Sequence, residues 1–325
     1  MRSLQLFLFY ICLAFSLSGQ TQAVDSLVQL GIERHDTGEY EKAIALYRQA
    51  LAIDPDSEIT LYEIAVSLAQ TGAFYEAIEY CDKLIDRGDK YAILAYNTKG
   101  SCLNDLGKTE EAIAIFQEGI AKEDEFHLLY YNLGLAYRKL EEYENAREAF
   151  LSSINLNPQH AGSYLNLGRT MMNLNRRVES LLSFYYFLFI ESDTERAELA
   201  CDAIRIQLAD VSVRRPDPAD PFSPADVLLY EIALNNAEHD RVGDMEIFIR
   251  TTGSLFSELG SYQKKHNLTG LYWEFYIPFF SDMAAAAYTD VFCHYISHRF
   301  NAASDEWLQR NSSKVRLFND WIQWQ

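Results

Sequence analysis

The sequence predicts an all-α fold: a solenoid of about five helix-turn-helix units followed by a smaller helical domain. Two observations carry this expectation. A pattern of small, aromatic and turn residues returns every 34 or 35 positions, in units that start near residues 24, 58, 93, 127 and 161. Within a unit the apolar residues recur at helical spacing, as in Ala43, Leu46, Tyr47 and Ala50, which gives each helix one face to bury. Two helices cannot cover that face alone, so neighbouring units must stack, and stacked helix pairs form a superhelix with a concave groove.

The first element is the stretch "MRSLQLFLFYICLAFSLSGQTQAVDS". A single Arg2 precedes an apolar run from Leu4 to Phe15, and small and polar residues follow. That order is the signature of a secretory signal peptide. The run is shorter than the roughly 20 residues a membrane span needs. Residues 1–23 are assigned to the signal, with cleavage expected after Gly19 or Ala23. Cys12 follows Phe9, Tyr10 and Ile11, without the small residues expected before a lipidated cysteine. The mature chain is therefore expected to be exported, to the periplasm or beyond the cell, and not to insert in a membrane.

The repeats occupy residues 24–194. The first copy reads Gly38, Tyr40, Ala43, Tyr47, Ala50, Pro55, and the second Gly72, Phe74, Ala77, Cys81, Leu84. The third reads Gly107, Ala112, Phe116, Gly119, and the fourth Tyr143, Ala146, Phe150, Ser153, Pro158. A helix precedes each, most clearly "YYNLGLAYRKL", with Tyr130, Leu133, Gly134 and Tyr137 in phase. Small residues such as Gly134 and Ala146 mark close helix contacts, and large ones such as Tyr137 and Phe150 fill the gaps. The fifth copy opens with "YLNLGRTMMNL" and holds Ser180 and Phe187 where small residues are usual, which suits a unit near the array's end.

This pattern resembles the tetratricopeptide repeat family. The resemblance implies an interaction scaffold that binds an extended peptide or a partner protein in a groove lined by the first helix of each unit. Carried onto this sequence, the lining is Tyr62, Asn97, Asn104, Tyr131, Arg138, Lys139 and Arg169, with Val28, Ile32, Val66, Ser101, Leu135 and Leu165 between them. Chaperone-binding members grip a C-terminal carboxylate with Lys, Asn and Arg. Val28 and Ile32 stand in the Lys and Asn slots here, so recognition of a chaperone tail is not expected. Arg138, Lys139 and Arg169, flanked by Tyr131, instead suit an acidic or carboxylate-bearing peptide through charge-assisted hydrogen bonds.

Beyond the repeats, residues 195–211 read as one more amphipathic helix, expected to cover the last unit's apolar face. "VRRPDPADPFSP" holds four of the seven prolines, which break helices, so residues 195–224 are assigned to a capping helix and linker with a domain boundary near residue 215. Residues 225–325 form the C-terminal domain, and "PADVLLYEIALNNAEH" opens it as a proline-started helix. Residues 271–325 contain 14 aromatic residues and all four tryptophans. They are expected to build a compact aromatic core, with "FNDWIQWQ" its most exposed piece; an aromatic contact surface is the alternative.

The remaining chemistry narrows the function. Acidic residues outnumber basic ones 47 to 28, a net charge of −19 that repels phosphates and argues against nucleic acid or anionic membrane as partner. Cys81, Cys102, Cys201 and Cys293 contain no C-x-x-C and form no disulfide scaffold. Cys81 and Cys102 read as small core residues, with a bridge between them left open. His294 and His298, four apart with Asp290 one turn before, have metal-compatible spacing. Tyr295 occupies the place where a metalloprotease helix needs its glutamate, so a structural pair is expected. Neither G-x-x-x-x-G-K nor G-x-S-x-G occurs. No catalytic residue, metal or cofactor is expected. The leading expectation is an exported scaffold for protein–protein interaction. The alternatives are an enzyme whose C-terminal domain holds the chemistry while the repeats recruit substrate, and a permanent structural subunit of an envelope assembly.

Overall fold

The computed structural model describes residues 20–88, 90–210, 227, 229 and 245–324. Most of the expected signal segment and the proline-rich stretch around residue 215 lie outside the described residues. The described elements are helical, and they fall into two compact units that divide between Leu156 and Asn157.

The first unit contains four helix pairs. They are α1 (20–36) with α2 (Tyr40–Ile53), α3 (Glu58–Gln70) with α4 (Phe74–Arg87), α5 (Ala92–Asp105) with α6 (Thr109–Lys122), and α7 (His127–Lys139) with α8 (Tyr143–Leu156). The turn inside each pair repeats one geometry. Its residue at left-handed φ is Gly38 (77°), Gly72 (79°), Gly107 (80°) and, in the fourth pair, Glu141 (61°). Two backbone bonds close it: Gly107 N–H donates to Asn104 O (3.1 Å) and Lys108 N–H to Leu103 O (2.9 Å), a double bond pattern that satisfies the last carbonyls of the helix. Glu141 N–H and Glu142 N–H make the same two bonds, to Arg138 O (3.1 Å) and Tyr137 O (2.9 Å). The geometry is therefore held where the glycine is lost.

The two helices of a pair meet at residues 16 apart. A Cβ placed on Gly134 would lie 2.7 Å from Phe150 Cε1, and the same collision occurs between Gly31 and Tyr47 (2.3 Å) and between Gly100 and Phe116 (2.3 Å). The second pair solves the contact differently. Ala65 and Cys81 occupy the two positions, sharing one buried cluster with Leu61, Leu84 and Ala95. A methyl group on one helix is matched by a smaller side chain on the other. Volume is conserved across the contact while both residues change.

The second unit opens with a fifth pair, α9 (Ala161–Asn173) and α10 (Arg177–Ile190), whose turn uses Asn175 at φ 60° and whose close contact is Gly168 against Phe184. α11 (Glu195–Ala209) packs on α10. Gln207 Nε2 donates to Ser180 Oγ (3.2 Å), Ser180 Oγ donates to Gly168 O (2.9 Å), and Arg177 caps the end of α11 by donating to Gln207 O and Asp210 O. α12 (Met245–His266), a π-helical turn (Tyr272–Tyr276), α13 (Ile277–Ala285), α14 (Thr289–Tyr295), α15 (Ala302–Arg310) and α16 (Ser312–Ile322) follow. α10 is buried on every side from Arg177 to Leu188, which is why its apolar residues show no stripe. Tyr185 at its centre sits among Phe256, Phe280 and Phe292 and shares a 2.7 Å hydrogen bond with Thr252. The aromatic-rich C-terminal residues thus form a core, and Trp324 alone among the tryptophans is fully exposed (86%).

Candidate peptide-binding face

In the first unit α3 packs on α5 and α5 on α7, in addition to each helix packing on its chain neighbour. The odd-numbered helices therefore stand side by side and present one continuous face. Six of the seven predicted lining residues lie on them; the seventh, Arg169, stands half-buried on α9 in the second unit.

The structure joins Tyr62, Asn97, Asn104 and Lys139 to neighbouring residues. Asn132 Nδ2 donates to Asn97 Oδ1 (2.7 Å), linking α7 to α5. Lys139 Nζ donates to Asn104 O (2.5 Å), a carbonyl in the last turn of α5 that also accepts from Gly107 N–H, and the negative end of the helix dipole favours the ammonium. Asn104 Oδ1 also accepts from Thr109 Oγ1 (3.3 Å). Tyr62 stacks on Tyr91 with ring centres 5.5 Å apart. Tyr131 lies 6.1 Å from the Phe150 ring and Arg138 is half-buried beside Lys139. Two residues read as lining are core residues instead. Val28 is buried with Val24, Tyr47 and Ile64, and Leu165 is buried in α9. Both belong to the inward stripe of their helix.

The sequence reading missed the opposite end of the face. His35 Nδ1 and Ser67 Oγ share a 2.7 Å hydrogen bond between α1 and α3, and His35 stands edge-on to Tyr40 at 5.0 Å. Glu63, next to Tyr62, is half-buried, and burial followed by the nearby charge of Asp36 pushes its carboxyl above the usual range. Repeat register would have found them. Counted from the close-contact position, Asp36 is the counterpart of Lys139 and Glu63 the counterpart of Asn132.

The histidine pair in the second unit does not converge on a common point. His294 Nδ1 shares a hydrogen bond with Ser304 Oγ (3.0 Å), its ring stacks on Trp307 at 4.2 Å, and burial lowers its pKa. His298 Nδ1 donates to Tyr295 O (2.6 Å), while Asp290 accepts from Lys314 Nζ at 2.8 and 2.7 Å. No cluster of three or more potential metal ligands is present among the described residues. Cys81, Cys102, Cys201 and Cys293 are buried free thiols. Among the described residues no helix is long and apolar enough to cross a membrane.

Family models match the chain in three places, as a TPR repeat at residues 31–72 and as a tetratricopeptide repeat at 93–121 and 127–160. These matches coincide with the turns and close contacts described above. The chain is a tetratricopeptide repeat protein. Its relatives include the general transcriptional corepressor ssn6 of Schizosaccharomyces pombe, 24% identical over 136 residues, and tetratricopeptide repeat protein 28 of Homo sapiens, 33% identical over 110 residues. The matches cover 41% and 32% of this tetratricopeptide repeat protein but only 12% and 4% of those relatives. Among solved structures, a thermophilic tetratricopeptide repeat protein of Thermus thermophilus matches with a TM-score of 0.50 at 20% identity, covering 56% of this chain and 99% of that one. Pseudomonas aeruginosa pilF matches with a TM-score of 0.50 at 19% identity, covering 83% and 99%. Both show the shared helical-repeat fold.

Proposed function

We propose that this tetratricopeptide repeat protein is an exported scaffold that docks an extended segment of a partner protein on the face formed by α1, α3, α5 and α7. The family and its fold support a role in protein–protein interaction. The observation that carries the finer reading is the continuous row of odd-numbered helices, whose half-exposed polar and aromatic side chains stand in front of a fully packed core. Tyr62, Asn97, Asn104, Tyr131, Arg138 and Lys139 are the proposed contacts on this face; Arg169, on α9 of the second unit, is proposed as a separate contact. The partner is a protein or peptide rather than a nucleic acid, because a net charge of −19 repels a phosphate backbone. An acidic partner group reaching Lys139 competes with the Asn104 carbonyl for the ammonium. The Arg138 end of the face thus offers a weaker anion site than the sequence alone suggests.

The experiment is affinity purification of the full chain from its native cells beside an Arg138→Glu/Arg169→Glu variant and a Tyr62→Ala/Tyr131→Ala variant. A partner retained by the wild type and lost from either variant supports docking on these helices. Equal retention by all three moves docking away from them. Export has its own test, the N-terminal residue of the mature chain. Cleavage after Gly19 leaves α1 whole, cleavage after Ala23 leaves Val24 to join the core, and an intact Met1 would contradict a cleaved signal.

A further inference from the structure

The N-terminal end of the docking face holds negative charge that the protein itself leaves unanswered. Glu63 on α3 is half-buried and makes no ion pair among the described residues, and the charge it feels most is Asp36 on α1, another carboxylate. The other cations of this region have partners of their own, and Lys90 lies over the Tyr91 ring. Arg34 and Lys42 hold Glu39, Arg48 holds Glu76, Arg87 holds Asp56 and Lys99 holds Asp82. A half-buried carboxylate without a counterion is costly, and a fold keeps one where something outside it supplies the charge.

A second observation points the same way. Tyr47 is completely buried, and its hydroxyl makes no hydrogen bond. Its ring edge lies against Gly31 of α1, which directs the hydroxyl between α1 and α3, toward Ser67, Glu63 and Asp36. Ser67 is its nearest polar neighbour without coming into hydrogen-bond geometry, and the Ser67 hydroxyl pairs with His35. Beside the carboxylates stand the stacked rings of Tyr62 and Tyr91, and Tyr91 already attracts Lys90, whose ammonium lies 4.9 Å from its ring centre. Carboxylates flanked by aromatic faces are the surroundings that suit a guanidinium or an ammonium on an aliphatic stem.

We propose that the end of the face bounded by Asp36, Tyr62 and Glu63 receives an arginine or lysine side chain of the docked segment. This rests on the reading of the odd-numbered helices as a docking face and adds the chemistry of what docks. The face is then polarised, with a cation-accepting end at α1 and α3 and the Arg138 end at α7.

The test is an NMR titration of the 15N-labelled full chain with N-acetyl-arginine amide, N-acetyl-lysine amide, N-acetyl-glutamine amide and N-acetyl-glutamate amide. The cationic probes are expected to shift the amides of residues 35–36 and 62–67 saturably, while the neutral and acidic probes leave them in place. Glu63→Gln should weaken the cationic probes about tenfold, the loss of one charge-assisted hydrogen bond. Glu33→Gln, at an exposed carboxylate on the same helix as Asp36, should leave them unchanged. Shifts that survive Glu63→Gln, or equal shifts with the glutamate probe, overturn the inference. If the cationic probes leave these amides still while other probes shift α5 and α7, the inference fails and the docking face stands. If no probe shifts any odd-numbered helix, both fail.

Discussion

Replacing Gly134 by alanine tests how the repeats are held together. In an ordinary helix interior this change stabilises by about 1 kcal/mol, because alanine has the higher helix propensity. Here the new Cβ would stand 2.7, 2.8 and 2.9 Å from Phe150 Cε1, Cδ1 and Cζ of a fully buried ring. Overpacking of this kind costs about 2–3 kcal/mol. The propensity gain leaves a net loss of about 1–2 kcal/mol. Phe150→Cys alone removes a buried ring and costs about 3–4 kcal/mol. The double variant reproduces what the second pair already does with Ala65 and Cys81, and should be less destabilised than the sum of the singles by about 2 kcal/mol. Urea unfolding followed by circular dichroism at 222 nm measures all three, since the far-ultraviolet signal weights every helix. Tryptophan fluorescence reports separately on the C-terminal helices, because all four tryptophans lie from Trp273 onward. A Gly134→Ala variant as stable as the wild type, or additive behaviour in the double variant, would refute the size-matching argument.

Other expected outcomes follow from single contacts. Glu141→Gly should stabilise the fourth turn by about 0.5–1 kcal/mol, since a left-handed φ of 61° strains a residue with a Cβ; thermal melting reads the gain. Lys139→Met should cost about 0.5–1 kcal/mol by removing the ammonium from the negative end of the α5 dipole, with faster hydrogen exchange at the end of α5 as its local sign. Glu63 has a folded-state pKa raised above its unfolded value, so its contribution is fully favourable below the unfolded pKa and is lost as pH rises through the folded one. Glu63→Gln should therefore melt higher than the wild type at pH 7, and the difference should vanish below about pH 4. The four thiols should stay unreactive toward a disulfide reagent until the chain unfolds, since burial pushes Cys102 up to about 12 and the other three upward as well.

The helix pairs were legible because each is specified locally. The period, the turn glycines and the 16-residue spacing of small and large residues are all written within one unit. The replacement of turn glycine by Glu141 and Asn175 did not hide the repeat, since the flanking backbone bonds hold the geometry without it. The candidate face was legible only in part. Tyr62, Asn97, Asn104, Tyr131, Arg138 and Lys139 fall on it because family register marks those positions. What each does there depends on the next unit. The Asn97–Asn132 and Asn104–Lys139 bonds join residues 35 apart, and no helix considered alone contains them. Val28 looked like a lining residue because its position, not its apolar side chain, was read. Repeat register marks the position of Glu63, but its lack of an ion pair becomes visible only when the neighbouring cations have been assigned partners.

The central claim, docking on the odd-numbered helices, is tested most directly by site-specific photo-crosslinking in the native cells. Benzoylphenylalanine is placed at Val66 on α3, at Tyr131 on α7 and at Tyr75, an exposed aromatic on α4 that lies off the proposed face. The account predicts one adduct of defined mass from Val66 and Tyr131 and none from Tyr75. Adducts from Tyr75 alone, or equally from all three positions, would contradict it.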